Sequence, residues 1–472
     1  MRTAPLLAAA SLATLASCSD RTIPTVPRQA TPSFSYTASA SPAVILGGYN
    51  NSSYTIPYGI NDLGVITGVS GVINNAVRWE TGTAAVPAST TALFVSGPGD
   101  LGRDINVAGQ VAGEHAGHAA LWTPNGAGYT LTDIGNLFEP GAIQSFAYGI
   151  NAAGDVVGNY TIQVGADLIT NCFLWKPSAP NATTGTAFIM ADLGGNFCVG
   201  NDVNAAGQVV GASNYTLNGP NHAVVWNIPG TPIDLMPGAI GSYGAAINDV
   251  GQVAGFQHLA GPTFPNAAVW TPTGPGTWSR LDLAPPPLTG QSEPVSSLAL
   301  SINDAGFVVG ITNGQTIIRT FFWQDGTFTE LTHPDALPPS TVQANSLTDL
   351  IGNRVIVTGS DLFDAVNNGR HGLRWTVTLT PTNSEGCLAD LEQLIDELRS
   401  SGLLSDGDAK SLLAKVNAAA HQASNGKTTP AKKLLLALID AVNLLREAGT
   451  LSITDAQALI RAAQCAIAEL SQ

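Results

Sequence analysis

Charge is scarce in this chain: only 11% of its 472 residues are Asp, Glu, Lys or Arg. A hydrophobic share of 44% still permits a core, so the low charge does not signal a disordered chain. Bases are scarcer than acids, 19 against 34, and the net charge of −15 argues against a nucleic-acid partner. Long apolar runs are missing too; none approaches the roughly 18 residues of a membrane-spanning helix. The sequence holds no HExxH, no GxSxG elbow and no phosphate-binding glycine loop, so the common zinc-protease, α/β-hydrolase and nucleotide-binding signatures are absent. What abounds is Gly, at 51, with 29 Pro, a balance suited to short strands and tight turns.

The N-terminus reads as a targeting segment. Met1-Arg2 gives a positive start, and Ala4 to Ala16 form a short apolar stretch of signal-peptide type. It ends in "LASC", Leu15 to Cys18, which resembles a bacterial lipobox. That resemblance implies a signal peptide over 1–17 and lipidation of Cys18. Stable membrane anchoring takes more than one acyl chain, and a lipoprotein cysteine carries several. Ordinary secretory cleavage is the alternative. Residues 18–42, rich in Pro, Ser and Thr, read as an extended tether.

One phrase then recurs. Asn61, Asn106, Asn151, Asn204, Asn248 and Asn303 are each followed by Gly three residues and again seven residues later. A seventh, worn copy is "SLTDLIGNRVIVTG", ending at Gly359. After each copy comes a Trp: Trp79, Trp122, Trp175, Trp226, Trp270, Trp323 and Trp375. Their gaps of 43, 53, 51, 44, 53 and 52 define one period of about 50 residues. Each copy reads as strand, NDxG-type turn, β-branched strand and Trp strand. A fourth strand follows in "LTDIG" (131–135), "MADLGG" (190–195), "PIDL" (232–235) and "SRLDL" (279–283). Four antiparallel strands at this period predict a β-propeller blade. "AVILGG" (43–48) looks like a fourth strand without a blade, suited to closing the ring. The expectation is a propeller over 43–380 with seven blades of about 48 residues, six or eight being the alternatives.

The paired phrases "INDxGxVVG" and "xAxLW", followed by "DLG", resemble the HAF extracellular repeat family over about 340 residues. That resemblance implies an exported repeat protein without assigned chemistry.

The strand 1–2 turns are uniform, whereas the 2–3 and 4–1 connections vary and share the opposite face of an antiparallel blade. Binding residues usually sit on variable loops held by a rigid scaffold. Tyr160, Tyr215, His222, Phe256, His258 and Phe264 are the ligand-face candidates. His118, His222 and His371 stand four residues before a repeat Trp, where other copies have Asn or Arg, and so read as structural hydrogen-bonding residues. Glu114, His115 and His118 form a faint metal-like cluster without a second group to complete it, so no metal and no cofactor are expected. Asp62, Asp249 and Asp304 stand in the turns, where Ala152 and Ala205 show that other copies manage without a carboxylate. No catalytic residue is assigned.

After a linker at 381–386, helical periodicity begins and repeats at an offset of 47. "GLLSDGDAKSLLAKVNAA" from Gly402 matches "GTLSITDAQALIRAAQCA" from Gly449. Ser405 and Ser452 read as N-caps, Gly402 and Gly449 as helix stops. Residues 387–472 thus predict a four-helix bundle made of two helical hairpins, a segment that resembles the FIMAH module. Besides Cys18, four cysteines remain, and Cys387–Cys465 and Cys172–Cys198 are the expected disulfides, in keeping with export.

The sequence therefore predicts an exported propeller, lipid-anchored at the outer membrane or cell surface, that binds an envelope protein or a glycan without turnover. A carbohydrate-active enzyme using carboxylates of the loop face, and a structural envelope component, are the rival readings.

Overall fold

The computed structural model describes residues 36–470, apart from 81–92, 127, 139–140, 228–229, 259–264, 292–295, 315–316, 335–340, 352, 362–369 and 382–385. Cys18, the signal segment and most of the tether lie outside the described residues, as does Phe264.

Seven antiparallel sheets of the blade type follow one another, and four helices end the chain. Blade 4 shows the plan: Cys198–Val203 innermost, then Gln208–Asn214, Asn221–Asn227 and Ile233–Asp234. Each Asn of the repeated phrase opens the turn between the first two strands. The Gly three residues on adopts positive φ, as at Gly207 (75°), a conformation that side-chain-bearing residues rarely take. The second Gly answers a different constraint. At Gly211 a Cβ would overlap the carbonyl oxygen of Val199, opposite an irregularity between Gly200 and Asp202 of the inner strand. The same register shift recurs in all seven blades, so the second glycine is written seven times as well.

The Asn side chain joins blade to blade. Its Oδ1 accepts the N–H four residues on, at 2.8–3.0 Å, from Val65, Gln110, Asp155, Gln208, Gln252 and Phe307 in turn. Its Nδ2 donates to the backbone carbonyl of the corresponding residue in the next blade, at 2.8–3.1 Å, from Asn61 through to Thr348. The repeat Trp fills the space between blades, and six of the seven are at most 2% exposed. Trp79, Trp226 and Trp375 also donate their indole N–H to the chain segment leaving the preceding blade.

Ring closure uses the N-terminal strand, but that strand begins earlier than expected. Val44–Leu46 pairs with Gly372–Pro381 as anticipated, and Tyr36–Ala40 already pairs along the same strand. The end of the expected tether is therefore the outer strand of blade 7. Its Ser- and Ala-rich composition disguised it, because an outermost strand is paired along one edge only. In blade 3 the fourth strand is Gly185–Ile189, not 190–195; the chain turns there instead, with Gly194 donating to Asp192 Oδ1 at 2.9 Å.

The helices are α1 (Cys387–Ser400), α2 (Asp406–Ser424), α3 (Thr428–Glu447) and α4 (Ile453–Glu469). Ser405 and Ser452 cap as expected, each exchanging bonds with the Asp three residues on. The bundle does not stand apart from the propeller. Leu391, Leu459 and Ala463 share one buried cluster with Phe307, Trp375 and Tyr36. Tyr36 donates its hydroxyl to Arg461 O at 3.0 Å, so the closing strand also ties down the helices. Cys387–Cys465 and Cys172–Cys198 are paired, with Cα–Cα separations of 5.6 and 4.9 Å.

Asn204→Ala deletes both functions of a side chain 3% exposed and should lower unfolding free energy by about 2 kcal/mol, read from the urea midpoint. Asp249→Ala, which removes a bond at an exposed turn, should cost less than half as much. Replacing Cys387 and Cys465 by Ser opens a 78-residue loop, worth about 4 kcal/mol in the chain-entropy account. Because the core is shared, the melt of the propeller should fall with that of the helices; a propeller melt that stays put would contradict the common core.

Candidate functional site

The inner strands enclose a central channel with a cavity of about 300 Å³. Its wall at mid-height is one residue per blade, the third before the repeated Asn. Tyr58, Arg103, Tyr148 and Asn201 come from blades 1–4; Ala245, Leu300 and Asn345 complete the circle. Arg103 donates through Nε and Nη2 to Glu114 Oε1 at 3.0 and 2.6 Å. Its guanidinium lies 5.0 Å from the Tyr58 ring centre and 5.5 Å from that of Tyr148. Burial pushes the Tyr58 hydroxyl up and the Tyr148 hydroxyl to about 12, against the opposing pull of Arg103. Both phenols are therefore neutral donors at ordinary pH.

Next along the wall stand Asp104 and Asp202. Each spans two blades: Asp104 accepts the N–H of Ile105 at 2.8 Å and of Ile150 at 3.0 Å, and Asp202 those of Val203 at 2.7 Å and Ile247 at 2.9 Å. Burial outweighs these bonds and raises Asp104 to about 7 and Asp202 to about 6.

At the turn face the channel meets an arc of four carboxylates. Asp249, Asp304, Asp349 and Asp62 each accept the backbone N–H of the preceding turn, at 2.7–2.9 Å. Burial and the neighbouring carboxylates raise Asp304 to about 7 and hold Asp349 well above the usual range. The helices roof this exit. Gln457 donates to Gln252 Oε1 at 2.6 Å, Arg461 to Asp325 at 2.9 Å and Arg446 to Asp249 O at 3.4 Å. Beneath them lies a second cavity, of about 530 Å³, between the carboxylate arc and Leu436, Ile439, Ile460 and Ile467. The uniform face is thus the docking platform of the helices.

The loop face carries His–Asp pairs. His115 lies 3.0 Å from Asp100, His118 3.4 Å from Asp133, His222 3.0 Å from Asp234 and His371 2.8 Å from Asp361. For His371 this is the expected hydrogen bond, whereas His118 Nδ1 and His222 Nδ1 face their carboxylates without making one. Arg319, at the same repeat position, meets Glu330 at 3.7 Å. Burial is the largest influence on Asp361 and would raise it, but the hydrogen bonds from His333 and His371 hold it below the usual range. Glu114, His115 and His118 turn to three different partners. Among the described residues no three His, Cys, Asp or Glu converge to hold a metal.

The ligand-face candidates scatter. Tyr160 is 2% exposed and stacks on Phe138 with ring centres 4.5 Å apart, so it belongs to the inter-blade core and is withdrawn from the face. His222 is 5% exposed and edges the Tyr215 ring, which is itself exposed and donates to Asp234. Phe256 stacks on Tyr243 and meets His258 edge-on. Among the described residues these candidates are not gathered into one pocket. The channel wall, which the structure does gather, went unmarked; placing the seven phrases in register and reading three residues upstream would have found it.

The architecture is that of a seven-bladed β-propeller with a C-terminal helical module. Residues 388–468 match the FIMAH domain. No curated protein matches the chain. Among solved structures it is similar to TolB from Acinetobacter baumannii, at 13% identity and a TM-score of 0.34, covering 58% of this chain and 66% of that one. The chain thus spans just under two thirds of that protein. It is also similar to XC5397 from Xanthomonas campestris, a gluconolactonase, at 10% identity and a TM-score of 0.33, covering 72% and 89%.

The raised carboxyls fix a pH response. A carboxyl whose folded pKa lies above its unfolded value destabilises the fold as pH rises from the ordinary value toward the folded one. Asp304 should therefore contribute a loss of stability between about pH 4 and 7. Asp304→Asn keeps an acceptor for the Asp249 N–H, and should shrink the fall in urea midpoint between pH 5 and pH 8. An equal fall in the variant would remove Asp304 from the account.

Proposed function

We propose that the protein is an exported binding protein of the cell envelope, built on HAF-type repeats, lipid-anchored through Cys18, whose propeller engages a glycan or an envelope protein from the loop face without turnover. The observation that carries this reading is the asymmetry of the two faces. The turn face is occupied by α3 and α4, while the opposite face bears the connections that differ from blade to blade. Paired cysteines in blades 3 and 4 and in the helical module suit an oxidising compartment. Residues 18–35 stand between the proposed anchor and the first strand.

One observation favours the enzymatic rival: Asp104 and Asp202 line the channel with pKa values raised to about 7 and 6, as a general acid needs. Their carboxylates are engaged by four backbone N–H groups, which favours the binding reading.

Two measurements test the proposal together. Cys18→Ala should abolish incorporation of labelled palmitate and release the protein from the membrane fraction; normal labelling would refute the anchor. The mature chain, applied to an array of envelope glycans and proteins, should bind a partner reversibly and leave it intact. Consumption of that partner would transfer the case to the enzyme.

A further inference from the structure

We infer that the channel itself is a sugar site: a neutral saccharide residue enters from the loop face and lodges among Tyr58, Arg103 and Tyr148. This rests on the binding reading above and gives it a place and a ligand class.

The inference comes from comparing the seven copies as they line one ring. Four residues before the repeated Asn, every copy has a small or ring-closed residue (Gly, Ala or Pro), where the strand bulges. One residue before it, every copy has Ile, Val or Leu, facing the core. Between them, three residues before, the copies read Tyr, Arg, Tyr, Asn, Ala, Leu and Asn. No shared size, charge or polarity survives there, so the fold does not dictate this position. Yet all seven of these side chains line the channel. In two blades the residue also joins the seam, Asn201 donating to Gly244 O at 2.7 Å and Asn345 to Pro57 O at 2.6 Å; in the others it varies while still lining the cavity, and that is where ligand recognition is written.

The residues chosen there are not evenly spread. The bulky aromatic and hydrogen-bonding ones come from consecutive blades, and Ala245 and Leu300 across the channel leave room opposite them. The cation at the site is already matched. Glu114 compensates Arg103 at 2.6 Å, so no net positive charge is left to draw an anion. Asp104 and Asp202 each hold two backbone N–H groups, and the four carboxyls at the turn-face end of the cavity hold one each. What remains is aromatic surface and two neutral phenol donors beside a guanidinium edge. Ring faces for C–H surface and O–H or N–H donors for hydroxyls are what an uncharged sugar needs. The helical roof closes the turn-face exit, so the ligand comes through the loops.

The test uses saturation-transfer NMR on the mature full-length chain. The probes are methyl glycosides of glucose, galactose, mannose and N-acetylglucosamine, with methyl glucuronide as the anionic probe and butylamine as the cationic one. At least one neutral glycoside should bind saturably. Tyr148→Ala, and separately Ala245→Trp, which fills the channel from the opposite wall, should each weaken that binding at least tenfold. Tyr58→Phe, which removes one hydroxyl only, keeps the test valid if a larger change disturbs folding, and should weaken it severalfold. Binding of the glucuronide or amine alone, binding of none of the probes, or glycoside binding indifferent to all three variants would overturn the inference. An array partner whose binding ignores these variants would leave the protein a binder while removing the sugar from its channel.

Discussion

Everything in the propeller hangs on one amide. The repeated Asn accepts the N–H that closes its own turn and donates to the next blade's backbone, so a single side chain fixes a local conformation and a long-range contact at once. Only a carboxamide can do both. A carboxylate would set oxygen against the neighbouring carbonyl, and a hydroxyl would not reach. The arrangement explains where the phrase wears out. In blade 7 the Asn is replaced by Thr348, and there the ladder stops. The last seam, between blades 7 and 1, is made by other means: Asn345 donates to Pro57 O at 2.6 Å, Asp349 to Asp62 at 2.9 Å and Gly372 to Thr55 at 2.6 Å. The outer strand of the same blade comes from the N-terminus. A ring must be closed somewhere by residues distant in sequence, and the copy at that place is released from the pattern.

The same turns create the platform for the helices. Being short and alike, they form a regular face, and Asp249, Asp304, Asp349 and Asp62 knit its successive backbones together. Onto it the module sets amide and guanidinium groups, chiefly Gln457 and Arg461, whose partners are backbone carbonyls and turn side chains. Apolar packing from Tyr36 and Phe307 completes the joint. The carboxyls nearest it sit in a poorly solvated arc, which is why they resist ionisation.

What the sequence disclosed was whatever geometry forces to recur. The turn glycines, the bulge glycines and the repeat Trp each obey a constraint met once per blade, so blade number and strand order could be read off. Helix caps at Ser405 and Ser452 were legible for the same reason: a helix start needs an acceptor there. Tyr36–Ala40 was not legible, since a strand supported along one edge tolerates Ser and Ala. Tyr160 is misleading in the sequence because a variable stretch need not be an exposed one, and its ring fills a gap against Phe138 and the blade core. The contact between module and propeller left no mark at all; Gln457 and Arg461 look like ordinary helix residues until the turns beneath them are in place.

Function follows a complementary rule. In a repeat built by copying, residues that all copies share are occupied with holding the ring together, and chemistry must be sought in what the copies do not share. The His residues before the Trp fail that criterion, because Arg319 and Glu330 take up the same arrangement in blade 6. Asp104 and Asp202 pass it only in part: two blades have them, and both spend them on the same backbone bridge to the following blade. Tyr58, Arg103 and Tyr148 pass it fully. They differ from their counterparts in the other blades, they adjoin, and the carboxylate that balances Arg103 comes from the neighbouring strand of its own blade. Removing Glu114 would leave the guanidinium without its partner, so the Arg103–Glu114 pair is what keeps Arg103 from offering an unmatched positive charge to the channel.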